Sequence, residues 1–211
     1  MIKKKNYVLN QSLFITGTNT DVGKTYASSV LLKRLSQEGF KVGYFKPIET
    51  GVIDHPVDGL AMLELTKKLN PNFNVNIDFI VPYQFKLPAA PYVAKKDTNI
   101  DIEFLIKRKN ELEELCDILI IEGAGGLMVP IMKDFFIIDL IKKFKSKTIL
   151  ISPSRLGSIN DTLLSQEALK NRNIDFDWYI NLFEDKDSFD EVTLPFYKDY
   201  FDEINFLNDI A

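Results

Sequence analysis

The stretch Leu13-Phe14-Ile15-Thr16-Gly17-Thr18-Asn19-Thr20-Asp21-Val22-Gly23-Lys24-Thr25 decides the fold. Four apolar or β-branched residues run straight into a glycine, a polar loop follows, and Gly-Lys-Thr opens the next segment. From Lys24 to Glu38, Ala27, Val30, Leu31 and Leu35 recur on one helical face, with Gly39 as the stop. A strand, a glycine-bearing loop and a helix in that order make a cradle for an anion. Successive backbone N–H groups from Asp21 to Thr25 and the positive end of the helix surround it. Lys24 can reach outer phosphates, and the Thr25 hydroxyl can ligate Mg²⁺. The spacing departs from the usual pattern: five residues separate Gly17 from Gly23, so the first glycine position falls on Thr18.

Outward from this loop, apolar runs alternate with amphipathic helical stretches, the pattern of a parallel sheet covered on both faces. Strands are predicted at Leu13 to Thr16, Lys41 to Phe45, Ile118 to Ile121, Thr148 to Ser152 and Phe176 to Ile180. Helices are predicted at Lys24 to Glu38, Asp58 to Leu69, Asp101 to Leu115, Ile137 to Phe144 and Ser158 to Asn171. Pro82 to Thr98, with three prolines, reads as a loop holding one helical turn, and the tail from Asp185 as one terminal helix. The expected architecture is a three-layer α/β/α fold with a mainly parallel central sheet.

Composition sets limits. The 211 residues carry 26 Lys and Arg against 30 Asp and Glu, and 45% are hydrophobic, which suits one compact domain over residues 1–211. A single cysteine, Cys116, excludes an internal disulfide and fits a reducing, cytoplasmic setting. No segment approaches the roughly 18 apolar residues of a membrane span. The slight acidity argues against nucleic acid as the partner. Lys3-Lys4-Lys5 reads as a solvated tail.

Several further residues point to the same sheet edge, where open α/β sheets bind ligands. Lys46, in Lys46-Pro47-Ile48-Glu49-Thr50-Gly51, follows the second strand; it is either a solvated charge or a second fixed cation for phosphoryl transfer. Asp58 is open to two readings, a plain helix N-cap or an Mg²⁺ ligand. Glu122, directly after four aliphatics and before Gly123-Ala124-Gly125-Gly126, is expected to point into the crevice as a metal ligand. The glycines let backbone approach a ligand. The loop Ser154 to Asn160 is either another set of N–H donors or an ordinary capped turn. His55 receives no role.

Taken together, Gly-Thr-x-Thr-x-Val-Gly-Lys-Thr, Lys-Pro-x-x-Thr-Gly, Pro-Ala-Ala-Pro, Glu-Gly-Ala-Gly-Gly and Leu-Gly-x-Ile-Asn, spread from Leu13 to Asn181, resemble the dethiobiotin synthetase family. The resemblance implies a P-loop NTPase fold and an ATP-dependent, Mg²⁺-dependent ligase of biotin biosynthesis. Its substrates would be 7,8-diaminopelargonate, CO₂ and a nucleoside triphosphate, joined through a carbamate and a carbamic-phosphoric anhydride. It implies Lys46, Lys24 and Thr18 as catalytic residues, and Thr25, Asp58 and Glu122 around the metal. Nucleotide contacts fall to Asp21, Val22, Gly23, Lys24, Thr25, Glu122, Gly123, Ala124, Gly125 and Asn181. Thr50 would face the diamine. Gly157, Ser158, Ile159 and Asn160 of a partner subunit would bind its carboxylate across a homodimer interface. This sequence departs from the family pattern at Tyr92, where His is usual, and at Leu182, where Asp commonly follows the base-contacting Asn; no Gly-x-Ile-Pro segment appears before Ala211.

Two alternatives share the fold. A partition-type ATPase switch usually has a second lysine inside the phosphate loop and a basic face for DNA or an amphipathic membrane helix; here the loop reads Thr18-Asn19-Thr20-Asp21-Val22 and the tail is acidic. A cobyrinate-type amide synthetase adds a glutaminase domain, for which this sequence is too short.

Overall fold

A computed structural model describes residues 11–210; Lys3 to Lys5 and Ala211 lie outside them. In chain order the elements are β1 (Gln11–Gly17), α1 (Lys24–Gln37), β2 (Val42–Phe45), β3 (Ile48–Thr50), α2 (Val57–Leu69), α3 (Ile77–Ile80), β4 (Tyr83–Phe85), α4 (Pro91–Ala94) and α5 (Ile102–Glu113). There follow β5 (Ile118–Gly126), β6 (Pro130–Met132), β7 (Phe135–Phe136), α6 (Ile137–Phe144), β8 (Lys147–Pro153), α7 (Ser158–Lys170), β9 (Phe176–Asn181), α8 (Lys186–Val192), α9 (Leu194–Tyr200) and a 3₁₀ turn at Leu207–Ile210.

Five strands form one parallel sheet in the order β2-β5-β1-β8-β9. Residues Ile118 to Glu122 of β5 are buried without a break, so both faces of this strand are covered. The helices supply the cover: α1 lies against β1 and β5, α5 against β2 and β5, and α7 against β8. β1 sits at the centre because its Leu13, Phe14 and Ile15 can be fully buried on both sides. No helix among the described residues is long and apolar enough to cross a membrane.

Where the fold departs from sequence reading, the reasons are local. β5 does not stop at Glu122 but continues through Gly126, because Gly17 still pairs with Gly126 beyond a register shift. Pro82 to Thr98 contains a short strand as well as a helical turn: β4 pairs in parallel with β3, placing Glu49 beside Gln84. The tail is two helices rather than one, divided at Thr193, with Pro195 in the first turn of α9. Its aromatic residues pack on the sheet end, with Trp178 centred 5.2 Å from Tyr197 and 4.6 Å from Phe201.

Candidate active site

The carboxyl ends of β1, β2 and β5 open into a cleft of about 730 Å³. The phosphate loop forms one wall. Asp21 and Gly23 both have positive φ, 58° and 93°, so the loop turns tightly enough to aim its amides inward before α1 begins. A Cβ at Gly23 would run into the Asn181 amide, which packs over the loop and donates to Val22 O at 3.2 Å. Lys24 is buried and donates to Asn19 O at 3.1 Å. Burial is the main influence on its ammonium and holds its pKa below the ordinary lysine value, against the opposing attraction of Glu122.

Glu122 is the hub of the cleft. It is 1% exposed and accepts four side-chain hydrogen bonds. Thr25 Oγ1 (2.8 Å) and Lys46 Nζ (3.0 Å) donate to Oε1; Ser28 Oγ and Tyr44 OH, each at 2.9 Å, donate to Oε2. Hydrogen bonds to every side of it offset the cost of burying the carboxylate. The neighbouring Tyr44 hydroxyl pays for this arrangement: burial, then the Glu122 charge, push its pKa well above the ordinary tyrosine value.

Lys46 is 5% exposed and bridges two carboxylates, reaching Asp58 Oδ2 at 2.6 Å as well as Glu122. Burial alone would lower its pKa, but attraction to Glu122 and Asp58 outweighs this and holds it above the usual lysine range. The solvated reading of Lys46 is therefore excluded. Since one ammonium touches both, Asp58 and Glu122 stand close enough to share a cation. Asp58 is not the N-cap of α2: Pro56 occupies that position without a side-chain bond, and Asp58 lies in the first turn.

Of the residues singled out in the sequence, the cleft wall includes Asp21, Gly23, Lys24, Thr25, Lys46, Thr50, Asp58, Glu122, Gly123, Ala124 and Gly125. Thr18, Val22, Asn181 and the segment Gly157, Ser158, Ile159 and Asn160 are not on it. Thr18 donates its N–H to Ile151 O at 3.0 Å and its hydroxyl is buried without a partner. Val22 faces the core, and Asn181 stands behind the loop. Gly157 to Asn160 begins α7, where Ser158 Oγ lies 3.4 Å from Tyr197 OH. His55 is exposed. Sequence reading missed Glu49, Ser28 and Tyr44. Of these only Glu49 left a signal, its place within the Lys46 to Gly51 motif. Burial raises the Glu49 pKa, with Lys46 opposing.

The fold and the cleft define a nucleotide-binding protein of the P-loop class. A family model described as an AAA domain matches residues 11–177. A curated ATP-dependent dethiobiotin synthetase of Sulfurovum sp. (strain NBC37-1) is 54% identical over 187 residues, covering 88% of this chain and 89% of the relative. That of Wolinella succinogenes is 42% identical over 190 residues, covering 89% and 88%. Among solved structures, the MinC:MinD cell division protein complex of Aquifex aeolicus superposes with a TM-score of 0.58 at 16% identity, over 92% of this chain and 79% of that one. A plasmid partition protein of Borrelia burgdorferi bound to AMPPNP gives 0.59 at 17%, over 93% and 85%. These two likenesses carry the fold alone. The chain belongs to the ATP-dependent dethiobiotin synthetase family.

Proposed function

We infer that this chain, as one α/β domain, takes ATP along the phosphate loop and 7,8-diaminopelargonate beside Lys46, and closes a ureido ring between the two amines of the latter. One amine takes up CO₂ as a carbamate. A carbamate oxygen attacks the γ-phosphorus, ADP departs, and a carbamic-phosphoric anhydride remains. The second amine then attacks the carbonyl carbon and phosphate leaves, giving dethiobiotin. No covalent enzyme nucleophile is needed, only positioning and charge neutralisation.

The observation that carries this reading is the ammonium of Lys46, buried and pinned between two carboxylates on the wall that also carries Lys24. Two fixed cations flank the space where negative charge builds up between carbamate and γ-phosphate, and they need no reorganisation to act. Amides of Asp21 to Thr25 and the start of α1 hold the β- and γ-phosphates. Gly123 to Gly125 let the nucleotide lie close to the backbone of β5. Thr50, expected to face the diamine, stands on the wall; Thr18, expected to be catalytic, has its hydroxyl buried off that wall and takes no part in the proposed reaction.

The residues fit Mg²⁺. Thr25, Asp58 and Glu122 offer hard oxygen donors around one cation position, where Lys46 already bonds to both acids. Among the described residues no group of three or more His, Cys, Asp or Glu could hold a metal unaided. Mg²⁺ is commonly held by one or two carboxylates together with waters and substrate phosphates. When bound, Mg²⁺ would neutralise phosphate charge and orient the triphosphate.

The separation of Gly157 to Asn160 from the cleft of the same chain supports a homodimer in which the partner's loop receives the substrate carboxylate. A cytoplasmic setting accords with the single, buried thiol. Purified protein supplied with diaminopelargonate, Mg-ATP and ¹³C-bicarbonate tests the whole scheme. Dethiobiotin should appear with ¹³C in its ureido carbonyl and one phosphate per ring. ATP binding without either product would overturn it. No observation in the cleft favours a partition switch.

A further inference from the structure

The start of α2 lacks a cap of its own. Pro56 at the N-cap has no side chain able to accept a hydrogen bond, so the first amides of the helix would be left without partners. They find one in β3. Glu49 Oε1 accepts from Asp58 N at 3.2 Å and Glu49 Oε2 from Gly59 N at 3.0 Å, before the helical ladder begins with Leu60 N to Pro56 O at 2.9 Å. The approach depends on a glycine. A Cβ at Gly59 would lie 3.1 Å from Glu49 Oε2 and collide with the Val81 side chain.

Glu49 is itself well fixed. It is 7% exposed, and its strand is held by β4. Asp58, by contrast, is 48% exposed at its side chain and bonds through its carboxylate to Lys46. A half-exposed carboxylate with one side-chain partner stays where its backbone puts it, and that backbone is held by Glu49. A carboxylate suits this task better than an amide. Both groups facing it are donors, and the helix N-terminus favours negative charge.

We propose that Glu49 is a positioning residue: by receiving the Asp58 and Gly59 amides in the first turn of α2 it fixes the Asp58 carboxylate against Lys46, and so sets the cation-holding geometry of the cleft. The proposal deepens the Mg-ATP reading given above and rests on it for the role of Asp58. Partners that orient a metal-holding group in this way are typically worth roughly 10- to 100-fold in affinity.

Nucleotide affinity, measured by calorimetry with Mg²⁺ and with EDTA, tests the idea without turnover. The proteins compared are the wild type, Glu49→Ala, Asp58→Ala and the double variant. In Glu49→Ala the strengthening of ATP binding by Mg²⁺ should fall about tenfold or more. Asp58→Ala should lose a similar factor, and the double variant should lose no more than Asp58→Ala alone. Affinity in EDTA should hold across the set, and exchange of the Asp58 and Gly59 amides should quicken in Glu49→Ala. Should Glu49→Ala not fold, Glu49→Gln, which keeps one accepting oxygen, should show a smaller loss of the same kind. Losses that multiply in the double variant, an undiminished Mg²⁺ effect, or an equal loss in EDTA would each overturn the proposal. Dethiobiotin formation by the wild type is read separately. An inactive wild type showing this pattern would remove the ligase reading and leave the role of Glu49 standing.

Discussion

Replacing Lys46 by Ala separates catalysis from structure. The structural loss can be worked from the ion pairs. Glu122, 1% exposed, loses an ammonium at 3.0 Å but keeps three hydroxyl donors, from Thr25, Ser28 and Tyr44. Breaking a buried pair by truncation costs about 3–5 kcal/mol, and the remaining donors favour the low end. The bond to the half-exposed Asp58 adds little. In a protein of this size each kcal/mol lowers Tm by roughly 2–4 °C, so a fall on the order of 10 °C is expected. Turnover should drop further, on the order of 10²-fold or more, because the lost cation acts mainly on charge that develops in the transition state. Melting curves paired with phosphate release under saturating ATP and diaminopelargonate would check both figures, with Lys46→Met as a variant that keeps the volume. Turnover within about threefold of the wild type, whatever the melting point, would refute the catalytic role. An unchanged melting point would refute the buried pair.

Other expectations follow from single contacts. Gly23→Ala forces a side chain into the Asn181 amide at a φ of 93°, so ATP affinity measured by calorimetry should collapse while the far-ultraviolet spectrum stays that of the wild type. Tyr44→Phe removes one donor from Glu122 and should lower stability in urea by about 1–3 kcal/mol. Burial pushes the Cys116 thiol up to about 12, above its ordinary 9.0. A raised folded-state pKa gives stability that is intact below about 9 and fades as pH climbs towards 12. Folded protein should thus resist iodoacetamide at pH 8, and Cys116→Ala should flatten the loss of stability above pH 9; rapid labelling of the native state would contradict the burial.

What the sequence made legible was local. Lys24 and Thr25 announce themselves because strand, loop and helix are contiguous, and Lys46 and Glu122 because each follows an apolar run directly. Asp58 was harder. Its residue type is that of a helix cap, yet the capping comes from Glu49, nine residues earlier, through β3 and β4, a pairing that no periodicity in Pro82 to Thr98 betrays. Ser28 and Tyr44 read as ordinary core positions; only the packing of α1 and β2 around β5 turns their hydroxyls onto one buried acid. The expected end of β5 at Glu122 was early because glycines weaken a strand signal while leaving backbone pairing intact. The loop Gly157 to Asn160 is legible as a motif, and in the structure it opens α7 away from the cleft residues.

The edge strand β2 runs abreast of β5 with Tyr44 level with Ile120 and Phe45 with Ile121. Lys46 and Glu122 follow the last of these pairs directly in their two chains and meet through their side chains at 3.0 Å, and Tyr44, two residues before Lys46, shares its side because side chains alternate. The buried ion pair thus sits just past a ladder whose phase is set by four residues. Deleting or inserting one residue between Val42 and Phe45 would swing the ammonium to the opposite face of the sheet. The strand can take substitutions that keep its burial, but its length between Val42 and Lys46 fixes which face the ammonium reaches.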